Sequence, residues 1–546
     1  MKKIFLYAAV ICSFFIACNN SEQGNNGDEG NDNSDKEKKI TKRDFTITPQ
    51  NAYNDIFLDS NDVEKFIADK QLSNSLTRRM RSFYNARNYQ FSWFFSDGLT
   101  EQGLTFWNIH NYESFFDTSL RNVTLQKKMD ALVLDSSFTV SPSNKSMVNT
   151  EILLTEHFIK YTLSNYEKGF VKRKEMERFI PIKKEDAITL SDSLLNKKHK
   201  DDKYFEDVNN AYKLLKLELS KYTNIAKKGG WPQITATPKQ LKKGASSPAI
   251  ASLKKRLQVV GAMPMGDTSQ VFTDSLANGI RHVQQSFGYT PDGVIKASLI
   301  KDLNIPVNKR IEQILINMGR MRWMPQEPEG QLILVNIPEF VLHVFEGKNK
   351  VFDMNVVVGK EGNNTMIFTG NLTSVVFSPY WNVPASIVKK EIMPKLATDS
   401  GYLARENMEI TGSEGGLPVI RQLPGDKNSL GQVKFLFPNS FNIYFHDTPS
   451  KSLFNKDKRA YSHGCIRLSN PVKMAEYLLK DNSSWPPEKI MEAMNSGTEK
   501  YVKVKDPVPV FITYYTAWVD EKGLLNFRDD IYMRDATIAK KMFAGG

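Results

Sequence analysis

Near residue 325 the spacing of apolar residues changes period. No other feature of the chain constrains its fold as tightly. Before that point they recur every three or four residues: Val63, Phe66 and Ile67, the runs 129–133 and 211–219, then Ile311, Leu315, Met318 and Met321. That is the spacing of a helix face. Beyond it, β-rich runs occupy 332–337, 340–345, 351–358, 373–377, 434–437, 442–445 and 508–519. Glu346-Gly347-Lys348 supplies a turn between two of them. A chain ordered this way keeps helices and strands apart. The expected class is multidomain α+β, helical first and β-rich afterwards. A length of 546 residues suits several domains.

Charged residues make up 25% of the chain and hydrophobic ones 40%, which excludes wholesale disorder and a polytopic membrane protein. The net charge of +12 suits an anionic partner such as acidic lipid or a carboxylate-rich polymer, or merely a solvated basic surface. No nucleic-acid partner is expected. The only cysteines are Cys12, Cys18 and Cys465, too few for a disulfide framework, so packing must hold the fold.

Residues 1–17 read as an export signal: Lys2 and Lys3, an apolar run, then Ala17 before Cys18. Phe15-Ile16-Ala17-Cys18 resembles a bacterial lipobox, which implies cleavage before Cys18 and lipidation of its sulfur. Residues 18–45 then form a polar tether. Its first part, 19–39, holds no aliphatic or aromatic side chain and cannot bury enough surface to order itself. The expected location is the cell envelope, lipid-anchored in the outer membrane and facing the periplasm. Cys465 is left as the free thiol of the processed chain.

Residues 46–235 read as a helical domain, with the aromatic-dense stretch 83–94 as a packed core stripe. Gly229-Gly230-Trp231-Pro232 marks its end. Residues 238–305 form a compact three-helix unit. Leu257-Gln258, Gln285-Ser286-Phe287-Gly288 and Asp292-Gly293 resemble the small peptidoglycan-binding domain of bacterial wall enzymes, although such a unit can also act only as a spacer. The β-rich domain is placed at 306–520, with a helical, turn-rich insertion at 385–431 and a tail at 521–546.

The densest chemical signal is Ser462-His463-Gly464-Cys465-Ile466-Arg467. A thiol needs a base or a nearby positive charge to act as a nucleophile at neutral pH. His463, two positions away, would share a face with Cys465 on an extended strand. The N–H groups of Gly464 and Cys465 are candidates for holding an oxyanion, and Arg467 offers a donor fork to a carboxylate. A second histidine, His446, ends a strand 19 positions before the thiol. Zinc held by His446, His463 and Cys465 is disfavoured, because no C-x-x-C, H-E-x-x-H or acidic ligand accompanies them. A papain-type dyad would place the cysteine before its histidine.

Tyr444-Phe-His446-Asp-Thr-Pro-Ser-Lys and Ser462-His-Gly-Cys465-Ile-Arg resemble the L,D-transpeptidase (YkuD-type) catalytic domain, in its large YcbB-like subfamily. Pro379-Tyr-Trp-Asn-Val-Pro384, residues 431–438 and the stretch 83–93 extend the resemblance over nearly the whole processed chain. It departs at Thr365-Met366, where Thr-Pro is expected. The resemblance implies a cysteine acyltransferase that forms 3→3 cross-links between peptidoglycan stem peptides. A thioester on Cys465 is the intermediate and D-Ala leaves. No cofactor or metal is needed, and carbapenems are expected inhibitors. His446 would serve as base and later acid, with the opposite assignment to His463 left open. Gly464 and His463 would shape the site, and Ser462, Tyr444 and Arg467 would bind substrate. The rival readings are a carboxypeptidase or cysteine hydrolase of stem peptides, and a non-catalytic wall tether.

Overall fold

The computed structural model describes residues 39–118, 121–135, 138–165, 179–196, 210–324 and 328–544. The signal, Cys18 and the first part of the tether lie outside the described residues.

The helical part contains α1 (Ser60–Asp69), α2 (Asn74–Ala86), α3 (Glu101–Phe116), α4 (Val123–Leu134), α5 (Lys145–Asn165), α6 (Ala187–Leu195) and α7 (Asn210–Lys227). The aromatic stretch is indeed its core. Trp93 is fully buried, with Phe106, Phe158 and Trp323 around it at ring distances of 5.1–6.3 Å. Its indole N–H donates to Thr155 at 2.9 Å. The buried Glu151 carboxylate accepts the backbone N–H groups of Ser92 and Trp93, at 2.7 and 2.9 Å. A buried polar group is tolerable only when satisfied in this way.

The three-helix unit consists of α8 (Pro248–Val259), α9 (Asp274–Ser286) and α10 (Ala297–Leu303). It has its own core, in which Ile250, Leu253, Leu257, Leu276, Ile280 and Leu303 are buried. Helix α11 (Val307–Arg322) follows. Its apolar face, Ile311 to Met321, packs into the helical core rather than the β domain. This is the helix expected over 311–321, but its apolar residues join the helical core, so the β domain begins after it rather than at 306.

The β domain is built from β1 (Gln331–Asn336), β2 (Val341–Glu346), β3 (Asn349–Gly359), β4 (Phe368–Phe377), β5 (Trp381–Asn382), β6 (Met408–Glu414), β7 (Leu417–Gln422), β8 (Val433–Leu436), β9 (Phe445–His446), β10 (Ala460–Ser462), β11 (Ile466–Leu468), β12 (Lys500–Thr513), β13 (Ala517–Val519) and β14 (Leu525–Phe527). Nine of them form one sheet in the order β10-β3-β11-β9-β8-β4-β12-β1-β2, and β2 also pairs with β3, which closes a barrel. Closure removes the exposed sheet edges. Inward residues alternate along the strands, as in Ile333 and Val335, Leu342 and Val344, Val508, Val510 and Ile512. Helices α12 (Pro471–Leu479) and α13 (Pro487–Asn495) cover the barrel through Met474, Leu478, Ile490 and Met494.

Two sequence expectations need correction. The insertion 385–431 is only half helical: short turns fill 385–405, but β6 and β7 form a hairpin that pairs with β5. Its own small core is Val383, Val388, Ile392 and Ile420. The tail placed at 521–546 is structured over its described residues, 521–544. Strands β13 and β14 form a ribbon, and a last helix, α14 (Arg534–Met542), follows. Leu525, Phe527, Ile538 and Phe543 are buried in the helical core. Arg320 of α11 locks this return, bonding Glu101 and Asp535 at 2.6 Å each.

Candidate active site

Strand β9 runs parallel to β11, with Phe445 opposite Ile466 and His446 opposite Arg467. Phe445, Ile466 and Leu468 point into the barrel and are fully buried. Side chains alternate along a strand, so Tyr444, His446, Cys465 and Arg467 stand together on the other face. The same register sets Tyr444 beside Cys465. Both the N–H and the hydroxyl of Tyr444 interact with the Cys465 sulfur, and the thiol faces the Asn442 carbonyl at 3.6 Å.

The electrostatics of this face favour neutral resting forms. Burial pushes the Cys465 thiol up to about 11, against the pull of the Tyr444 donors and of the Arg467 charge. Burial pushes His446 down to about 3, and Arg467 adds to that shift. The His446 ring is anchored by Nδ1, 2.5 Å from the Asp447 carbonyl oxygen. That contact requires Nδ1–H as donor, so Nε2 carries the free lone pair. Asp447 is itself fixed, since its carboxylate accepts the Gln432 N–H at 3.0 Å and pairs with Lys451. The backbone of Gly431 (φ +64°) passes so close to this carboxylate that a Cβ there would sit 2.3 Å from it. With both groups neutral at rest, this face holds no standing thiolate–imidazolium ion pair.

The residues singled out in the sequence divide into two groups. Tyr444, His446, Cys465 and Arg467 come together. His463 and Ser462 do not join them as expected. Gly464, at φ +116°, turns the chain between β10 and β11, so His463 and Cys465 do not share a strand face. His463 turns to the insertion instead, where its Nε2 lies 2.6 Å from a Glu391 carboxylate oxygen. Ser462 is 1% exposed. Its hydroxyl donates to the Cys465 carbonyl at 2.5 Å and accepts the Gly464 N–H at 3.2 Å. Neither Ser462 nor the Gly464 N–H is therefore available to a substrate. The Cys465 N–H meets no protein acceptor among the described residues.

Sequence reasoning missed Glu391 and the Asp447 carbonyl. Asp447 carried a local signal, as the neighbour of His446. Other described histidines have partners away from this face. His110 and His157 face each other at 3.2 Å, and His343 bonds Asp353 and Glu339. Among the described residues no three His, Cys, Asp or Glu side chains are grouped as a metal site needs.

Residues 330–510 match the family model described as the L,D-transpeptidase catalytic domain, and residues 78–219 match that of a scaffold domain. The β barrel is thus the part of the chain that matches the L,D-transpeptidase catalytic domain. A Haemophilus influenzae protein named "Putative L,D-transpeptidase" is 30% identical over 253 residues, which cover 43% of this chain and 51% of that relative. The match thus spans about half the length of the relative. Among solved structures, the L,D-transpeptidase from Stackebrandtia nassauensis aligns over 51% of this chain and 97% of its own, at 14% identity and a TM-score of 0.21. One from Mycobacterium smegmatis aligns over 34% of this chain and 58% of its own, at 16% identity and a TM-score of 0.19. The region matching the L,D-transpeptidase domain carries the Tyr444, His446, Cys465 and Arg467 face outside the barrel core, while the region matching the scaffold contributes the aromatic core around Trp93.

Proposed function

We propose that this chain forms 3→3 cross-links in peptidoglycan through a thioester on Cys465. The observation that carries the reading is the single face on which Tyr444, His446, Cys465 and Arg467 stand in register. In the first half-reaction His446 Nε2 takes the thiol proton as sulfur attacks the carbonyl carbon of the third residue of a tetrapeptide stem. The Cys465 N–H donates to the oxyanion that forms. The amide bond to D-Ala then breaks, and the imidazolium returns its proton to the departing amine. In the second half-reaction the side-chain amine of another stem attacks the thioester. His446 takes the amine proton and returns it to the sulfur. One amide replaces another, so no cofactor or energy source is consumed. Arg467 stabilises the developing thiolate, and Tyr444 donates to the sulfur from its N–H and its hydroxyl.

The insertion 385–431 serves as a lid, tied to the nucleophile loop by His463 and Glu391. Excluding water from the thioester favours transfer over hydrolysis. Purified tetrapeptide muropeptides test the reading. Transfer yields tripeptide-linked dimers, a carboxypeptidase yields free tripeptides, and a wall tether yields neither. Lipidation at Cys18 would hold the enzyme at the outer membrane facing the periplasm, and residues 238–305 would hold it on the wall. Cys18→Ala should then move the protein into the soluble fraction. Deleting the three-helix unit should weaken its pull-down with purified sacculi.

A further inference from the structure

Gly464 and Cys465 carry four backbone polar groups between them, and three are bonded inside the protein. Ser462 Oγ accepts the Gly464 N–H and donates to the Cys465 carbonyl. The Gly464 carbonyl accepts a hydrogen bond from the Thr365 hydroxyl at 2.7 Å. Only the Cys465 N–H has no acceptor among the described residues. This N–H belongs to the same planar unit as the Gly464 carbonyl and points the opposite way. Whatever holds that carbonyl therefore sets the direction of the N–H.

Thr365 is completely buried and lies in the loop that follows β3. Its hydroxyl also accepts the Gly359 N–H at 2.9 Å, so donor and acceptor capacity are both in use. Its backbone N–H donates to the Tyr532 hydroxyl at 3.2 Å, and that hydroxyl donates to the Gly359 carbonyl at 2.6 Å. Tyr532 thus clamps both ends of the loop 359–365. The loop is drawn so tight that a Cβ on Gly359 would lie 2.0 Å from the Asn363 carbonyl oxygen. Tyr532 is itself fixed, with its ring stacked on Tyr514 at 5.6 Å and its N–H on the Tyr514 hydroxyl at 2.9 Å. It lies outside residues 330–510, on the segment that returns to the helical core.

We infer that Thr365, clamped by Tyr532, is a positioning residue that aims the Cys465 N–H at the oxyanion of acyl transfer. The inference rests on the acyl-transfer reading of Cys465 and deepens it. The chain Tyr532–Thr365–Gly464 couples the C-terminal segment to the nucleophile through buried hydrogen bonds. An oxyanion donor gives its benefit only when aimed in advance at the place where charge develops, and losing one typically costs about 10²–10³-fold in rate. Removing the hydroxyl of Thr365 frees the peptide plane without touching the thiol, Tyr444, His446 or Arg467.

The test compares two reactions of the same sulfur in the full chain. Acylation by a carbapenem passes through an oxyanion, whereas alkylation by iodoacetamide does not. Thr365→Val keeps the shape of the side chain and removes its hydroxyl. It should slow acylation about ten- to a hundredfold, while alkylation stays within about twofold, and Thr365→Ser should restore acylation. Tyr532→Phe leaves the Thr365–Gly464 bond in place and should give a smaller loss of the same kind. It also carries the test if Thr365→Val does not fold. Equal losses in both reactions, unchanged acylation in Thr365→Val, or failure of Thr365→Ser to recover would each overturn the inference. Absence of acylation in the unsubstituted chain would instead overturn the reading of the site, and this inference with it.

Discussion

The neutral resting forms of Cys465 and His446 predict two pH profiles that differ in shape. Raising the thiol from its ordinary value of 9.0 to about 11 disfavours the thiolate by about 3 kcal/mol. At pH 7.5 the thiolate fraction is then about 100-fold below that of an ordinary cysteine. Iodoacetamide alkylation of Cys465 should follow that fraction. It should be slow at neutral pH and climb about tenfold per unit toward pH 11, with no plateau on the way. Carbapenem acylation draws on the neutral thiol and neutral imidazole together. His446, held near 3, is unprotonated throughout the physiological range. Acylation should therefore be level from about pH 5 to 9 and lack the usual histidine limb near 6.5. Both rates can be read by intact mass with peptide mapping of the modified residue. An alkylation plateau beginning below pH 8 would refute the argument, because it would mean a standing thiolate–imidazolium pair.

Three further outcomes are expected. Cys465→Ser should abolish both the carbapenem adduct and cross-linked dimers in a folded protein, since a hydroxyl is a far weaker nucleophile in this setting; dimer formation by that variant, followed by muropeptide chromatography, would contradict the mechanism. Trp93→Ala should destabilise the scaffold by about 3–5 kcal/mol in denaturant unfolding, because a fully buried ring would leave a cavity among Phe106, Phe158 and Trp323. Burial alone would lower His343, but hydrogen bonds to Asp353 and Glu339 raise it to about 9. A raised cation stabilises the fold below its unfolded value of about 6.5, and that stability is lost as pH rises through about 9. His343→Gln should therefore cost stability at pH 6 and much less at pH 10, as read by thermal unfolding at both values.

The α+β class and the candidate thiol could be read from the sequence, because both depend on local pattern. The period of apolar residues sets helix or strand wherever the element is long, and 311–321 or 508–512 leave little ambiguity. His446, Cys465 and Arg467 were legible because residue types with that chemistry occur together in one short stretch and one strand end. What each residue bonds depends on contacts between segments far apart in the chain, and here sequence reasoning failed in specific ways. Two-residue alternation placed His463 beside Cys465, but Gly464 at φ +116° breaks the strand between them, and His463 meets Glu391, 72 positions earlier. Ser462 looked free to bind substrate and is instead consumed by the backbone of its own loop. The end of the chain looked like a tail, although it is rich in apolar residues. They fill the helical core only because β13 and β14 return there, and that return carries Tyr532 to Thr365, 167 positions away. Local spacing thus determined which elements form and which atoms can react. The direction of the Cys465 N–H and the neutral states of thiol and imidazole follow from burial and from hydrogen bonds that close only when the barrel does.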